Sequence, residues 1–457
     1  MKKLTIIVAA VIVLGCLGLA GASYYTGLQV EKRLPEVLRT AGDRQGIVYT
    51  IKEQHRGIFE SRYVISFAVP MPAKPGAAAG PLALDMNLRV VHGPIPLGSG
   101  SLSPCRAVAD ATFAVAPDAD PSVHEFFTKI PELLQSTLRI RGNFDDTGTL
   151  TFVIPPFSRD LDLPQPQQAE PLHVDWKGLT LAMNFAENAP NTGTVEAPGL
   201  ALKRAKDSLA FEDFSETFSF LWIEGMPHLA TVKANAQLKS LDADYPSMNT
   251  KFSVTGMTMS ESLAPRGPVL DYVVDMKGTR HAANSPDIPA SLHIALNSLD
   301  AAALNDALGM LQKFNATPQQ EPAPEDLVRM GNALLARAPS LDVNITAMEG
   351  TPTGPVSLKA EVKTDEMKSL PVNELQALTQ LRASGSLNAS EKSLLDLLCL
   401  VQRADTPALT EEQCQTQTTQ QIDQLVTQGQ LVRGDGKLTA KAVWDGQHLL
   451  LNGNPLQ

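Results

Sequence analysis

Ser61-Arg62-Tyr63-Val64-Ile65-Ser66-Phe67-Ala68-Val69 has the pattern around which the rest of the chain organises. Tyr63, Ile65, Phe67 and Val69 alternate with Arg62, Val64, Ser66 and Ala68. Successive side chains of a strand point to opposite faces, so this period of two predicts a strand with one apolar face. Downstream, Leu82, Leu84, Met86, Leu88 and Val90 repeat the pattern over residues 82–91, after a Pro/Gly/Ala loop at 70–80. That strand ends at His92-Gly93-Pro94. Upstream, residues 47–54 read as a strand and His55-Arg56-Gly57 as the turn that follows it. The same idiom returns near 138–144, 149–154, 179–185, 218–223, 230–238, 251–257, 269–276 and 291–297.

Strands that follow one another without long helices between them imply antiparallel neighbours. Alternation implies sheets buried on one face only. No fixed-period repeat supports a propeller or solenoid. Helical spacing enters late, at 300–313 and 324–338, on either side of a Pro/Gln/Glu linker at 317–322. Strands follow at 341–346 and 356–362, and helical patterns return at 390–402 and 411–428. Asp300 and Ser390 stand where N-caps belong. The chain closes on 437–444, an Asp445-Gly446 turn and 448–452, and Asp-Gly between alternating runs is a strong hairpin signal. The expected fold is α+β: extended antiparallel sheet with helical insertions near 300–338 and 390–428. Residues 28–457 are expected to form one elongated body, in preference to a split near 317–322.

At the start of the chain, Lys2 and Lys3 precede roughly twenty uncharged residues (4–23), enough for a helix to cross a hydrocarbon core of about 30 Å. Lysines before the run and none within it place the N-terminus in the cytoplasm and the remainder outside. Tyr24 and Tyr25 fall where an interfacial aromatic belt lies. Residues 1–27 therefore read as a signal anchor, a transmembrane helix. Two other readings stay open. Ala20-Gly21-Ala22 fits a cleavage site, and Val13-Leu14-Gly15-Cys16 resembles a lipobox that would lipidate Cys16. Residues 28–41 read as a stalk helix that Pro35 interrupts or kinks.

Composition narrows the function. Hydrophobic residues make up 43% and charged ones 19%, which argues against global disorder. A net charge of −11, spread along the chain without a basic face, argues against nucleic-acid binding. Cys399 and Cys414 lie in a stretch, 394–428, that reads as helix, turn, helix around Thr406-Pro407. A Cys399–Cys414 disulfide is the expectation there, contributing about 3 kcal/mol for a loop of this size. Two reduced, half-buried thiols are the alternative. The spacing suits neither CxxC redox chemistry nor a zinc ribbon.

Several motifs come in a recognisable order. They are the N-terminal run into Tyr24-Tyr25-Thr26-Gly27, His55-Arg56-Gly57-Ile58-Phe59, Val91-His92-Gly93-Pro94-Ile95-Pro96-Leu97, and the closing Leu449-Leu450-Leu451-Asn452-Gly453. In this the chain resembles the YdgA/YihF-type family of bacterial proteins of unknown function. The resemblance spans essentially the whole chain, with its quotable motifs mostly in the first hundred residues. It implies a Gram-negative protein anchored in the inner membrane, with its bulk in the periplasm. It implies no activity. Cys16 lies outside the family pattern, which weakens the lipoprotein reading.

His55, Arg56, Gly57, His92, Gly93 and Pro94 are the sharpest local features. In a meander of 47–54, 61–69 and 82–91 both histidines lie at one end of the sheet, where imidazoles suit metal or acid–base chemistry. No third ligand is fixed by spacing, however. The preferred reading is that the glycines and proline shape turns while the histidines bond nearby backbone. HExxH, G-x-S-x-G, P-loop and G-x-G-x-x-G motifs are all absent from the sequence. No metal or cofactor is expected. The expected role is a non-enzymatic, membrane-anchored envelope protein binding lipid or other apolar material along a sheet surface. The alternative is an envelope scaffold that binds a protein partner or itself, with oligomeric state left open.

Overall fold

The computed structural model describes residues 2–45, 47–69, 82–100, 102–162, 170–187, 189–246, 250–281, 287–316, 323–364, 379–405 and 409–455, with side chains of the first helix described from Leu17. The expected loop at 70–80, the linker 317–322, Thr406-Pro407 and the Cys16 side chain lie outside the described residues. Contacts divide the chain into two compact units. One comprises Met1–Leu161, Asp175–Ala197 and Gly309–Glu321, the other Asp162–Val174, Pro198–Leu308 and Pro322–Gln457. The architecture is mostly antiparallel sheet, with six α-helices among the described residues, an α+β fold.

The first unit opens with α1 (Lys2–Gln45), a single helix that carries Pro35 inside it. The expected interruption at Pro35 does not occur. Proline removes one backbone hydrogen bond. Val30, Leu34 and Leu38 pack against the sheet core on both sides of that position. The expected membrane span falls in part on side chains outside the description. Among the described residues no helix is long and apolar enough to cross a membrane.

Strands β1 (Val48–Arg56), β2 (Glu60–Val69), β3 (Leu82–His92), β4 (Ala107–Val115), β5 (Thr137–Gly142) and β6 (Thr147–Ile154) form an antiparallel meander. Helix α2 (Pro121–Lys129) lies between β4 and β5, its N-cap Asp120 accepting from the Ser122 N–H. Beyond β7 (Phe157–Leu161) and β8 (Leu172–Trp176), β9 (Leu179–Ala186) pairs with β6 and with β10 (Asn191–Arg204). Register explains the alternation. Tyr63, Leu88, Ala111 and Leu138 are cross-strand neighbours on the face that takes α1. One residue along, His55, Arg62, Arg89, Asp110 and Arg139 form a row on the opposite face. Tyr49, Phe67, Phe113 and Phe152 make successive ring contacts at 5.9, 6.4 and 6.1 Å, each worth about 0.5–1.5 kcal/mol beyond burial.

The second unit is also a meander. Strands β11 (Asp207–Trp222), β12 (Ala230–Tyr245), β13 (Thr250–Arg266), β14 (Val269–His281), β15 (Ile288–Asp300), β16 (Ser340–Ala347), β17 (Val356–Thr364) and β18 (Leu381–Ser390) pair in chain order. Helices α3 (Ala301–Ala316) and α4 (Pro324–Leu335) are inserted between β15 and β16. Helices α5 (Glu391–Asp405) and α6 (Glu411–Thr427) follow β18. The chain then continues through β19 (Val432–Gly434), β20 (Lys437–Trp444), β21 (Leu449–Leu451) and β22 (Asn454–Pro455), with β20 returning beside β18. Asp300 Oδ1 accepts the Ala303 N–H at 2.9 Å and Ser390 Oγ accepts that of Ser393 at 3.0 Å, so both act as N-caps. The helical hairpin closes a core of Ile288, Met348, Val356, Leu394, Ile422 and Leu438.

Candidate functional site

The pair of turns at the end of the first meander is built to hold α1. Where the helix crosses β3, its residue is Gly27, and a Cβ there would sit 2.5 Å from His92 Cε1. Helix and imidazole touch because Gly27 has no side chain. His92 is only 1% exposed, so its polar atoms need partners within the protein. Nδ1–H donates to the Ile58 carbonyl at 3.0 Å, leaving Nε2 to accept from the Ser61 hydroxyl at 2.9 Å. Burial pulls the imidazole pKa down from its usual 6.5, against the Ile58 hydrogen bond, and keeps the ring neutral. A serine hydroxyl bonded to an imidazole has the form of a nucleophile and its base. Here both groups are sealed from solvent and the orienting acceptor is a backbone carbonyl, so the pair fixes a shape.

The first turn grips the same helix from the side. The Arg56 guanidinium bonds the Glu31 carboxylate, donates to the Tyr24 hydroxyl at 3.3 Å, and lies 5.2 Å from the Tyr24 ring centroid. Gln54 Nε2 adds a bond to Glu31 at 2.6 Å. Gly57 N–H donates to the Glu60 carbonyl at 2.7 Å, and Gly93 N–H to that of Arg106 at 2.7 Å. A side chain on Gly93 would collide with the Cys105 carbonyl, and the Gly93-Pro94 peptide is cis. Arg56 and His92 thus meet Tyr24, Gly27 and Glu31 in one clamp. His55 takes no part in it. Register puts His55 on the opposite face, exposed beside Arg62, so the two histidines share an end of the sheet but not a site.

Beside the clamp runs a groove of about 700 Å³. Ala22, Tyr25, Val30, Leu34 and Val37 form its helical wall, and Pro94 and Phe144 face them. Four charges line it: Arg33, Arg106, Asp146 and Glu187. Arg106 is committed to Asp146 at 2.7 Å and to the Phe144 carbonyl at 3.1 Å. Among the described residues, neither Arg33 nor Glu187 has an ion-pair partner. Sequence reasoning missed this groove because Phe144, Asp146 and Glu187 lie more than a hundred residues from the helical residues they line it with.

Elsewhere, a concavity of about 670 Å³ in the second unit lies over the polar row Asn235, Ser260, Asp275, His293 and Asn344, with His293 Nδ1 2.7 Å from Asp275. Ala236, Met259, Met276 and Leu292 line it as well, so polar and apolar side chains share its wall. No group of three or more His, Cys, Asp or Glu suited to a metal occurs among the described residues. The expected Cys399–Cys414 bridge is not formed here. Both are buried free thiols, with the Cys414 Sγ–H donating to the Cys399 carbonyl at 3.4 Å. Burial, then the neighbouring Cys414 thiol, pushes the Cys399 pKa up to about 11.

A family model described as a bacterial protein of unknown function (DUF945) matches residues 1–457. No curated protein and no solved structure matches the chain.

Proposed function

We propose, for a chain that belongs to the DUF945 family of bacterial proteins of unknown function, a non-catalytic role at the cell envelope. Residues 1–27 anchor it in the inner membrane, and the remainder stands in the periplasm and binds lipid or other apolar material. One observation carries this reading. The apolar groove begins at Ala22, on the helix whose uncharged run ends at Ser23. An amphipathic cavity and a membrane-length apolar segment thus adjoin on a single element. The YdgA/YihF-type resemblance supports the same placement, and Arg56 and His92 of its motifs clasp that helix. Fractionation of cells expressing the full chain tests the anchor. The protein should stay with membranes through alkaline carbonate and be digested by protease in spheroplasts while protected in intact cells. Recovery in the soluble fraction, or protection in spheroplasts, would overturn the reading.

A further inference from the structure

We infer that the groove beside α1 takes the headgroup and one acyl chain of a single phospholipid drawn from the adjoining leaflet, the zwitterionic headgroup between Arg33 and Glu187 and that chain running back along the helix. The inference rests on the anchored reading above. Length is the first argument. From Ala22 to Arg33 the helix rises about 16 Å at 1.5 Å per residue, close to the roughly 15 Å that half a hydrocarbon core measures. A tail lying against Tyr25, Val30 and Leu34 would therefore reach the bilayer as its head reached Arg33. Capacity is the second. The groove of about 700 Å³ has room for a headgroup and one acyl chain, leaving the second chain with the leaflet.

Charge selects the headgroup. Arg106 and Asp146 neutralise one another, which leaves one guanidinium and one carboxylate, Arg33 and Glu187, for a ligand. A guanidinium suits a phosphate diester, and a carboxylate suits an ammonium group. A headgroup carrying both charges, as phosphatidylethanolamine does, satisfies both residues. A purely anionic one leaves Glu187 opposing it.

The test uses the full chain reconstituted in vesicles of phosphatidylethanolamine and phosphatidylglycerol. A trace of phosphatidylethanolamine carrying a photoreactive diazirine in its acyl chain is included, and adducts are mapped by peptide mass spectrometry after irradiation. Adducts are expected on Val30 and Phe144 as well as within residues 4–23. Adducts confined to 4–23 would leave the anchor standing and overturn the groove assignment. Their absence from 4–23 would overturn the anchored reading itself. Arg33 is exposed and outside the clamp, so Arg33→Glu should fold normally. It should lower groove labelling about threefold, the size of one solvent-exposed charge contact, with 4–23 labelling unchanged. Unaltered groove labelling in that variant would overturn the headgroup assignment, as would stronger labelling by the phosphatidylglycerol form of the probe.

Discussion

At position 92 an imidazole is held neutral by its surroundings, and that has a measurable sign. Burial depresses the folded pKa below 6.5, so as pH falls the unfolded chain binds a proton before the folded one does. The contribution of His92 is complete above pH 6.5 and drains away as pH drops towards the folded value, at up to about 1.4 kcal/mol per pH unit for one proton. Urea unfolding at a series of pH values between 7.5 and 5.5 should show stability falling, with a shallower fall in His92→Gln. Equal slopes in the two proteins would assign the loss to other groups. The sequence exposed His92-Gly93-Pro94 as a unit and suggested backbone bonding for the histidine, which is half of what Nδ1 and Nε2 do. Its contact with Gly27 was illegible, because nothing local ties a glycine in a helix to an imidazole 65 positions later.

Alternation located the strands where apolar and polar residues take turns, as in β2 and β3. It failed where the side chains are small. Strand β4, Ala-Val-Ala-Asp-Ala-Thr-Phe-Ala-Val, and β18, Leu-Arg-Ala-Ser-Gly-Ser-Leu-Asn-Ala-Ser, carry too little contrast to read. Strands of the second unit also run longer than the pattern suggested. A register shift between Thr255 and Thr258, with Gly256 at φ 59°, breaks the period of β13 without ending the strand. The α5–α6 hairpin was legible as helices. The state of its cysteines depends on chemistry outside the chain. Cys399 and Cys414 are neighbouring thiols, and Thr418 Oγ1 lies 3.5 Å from Cys399 Sγ. Chain recovered from an oxidising compartment should have lost one hydrogen from each cysteine by intact mass. It should resist urea by about 3 kcal/mol more than the reduced form. Identical masses before and after reductant would rule the bridge out.

For the molecule as a whole, the strand-rich class and late helices were readable, and the division into two compact units was not. The units interleave along the chain, with segments such as Asp175–Ala197 and Asp162–Val174 assigned to different bodies, so no composition shift marks a border. The clamp predicts how unevenly the chain depends on its first residues. Deleting residues 1–27 removes Tyr24 and Gly27 and leaves Arg56 only Glu31. Amide hydrogen exchange should then quicken in β1–β3 and stay unchanged around Leu394, Ile422 and Leu438. Uniform protection across both units would show that the clamp contributes nothing to stability. The groove itself could not be read, since Phe144 and Glu187 approach α1 only once the meander has formed.

Continuity of α1 also has a mechanical meaning. A glycine-rich leash lets its cargo wander through a hemisphere whose radius grows with linker length. Under the anchored reading, α1 is instead an unbroken shaft, about 66 Å over its 44 residues, clasped near its middle at Gly27 and Glu31. Height and heading of the first meander above the lipid surface are then set together. Any tilt or axial turn of the buried half is delivered to the sheet as torque.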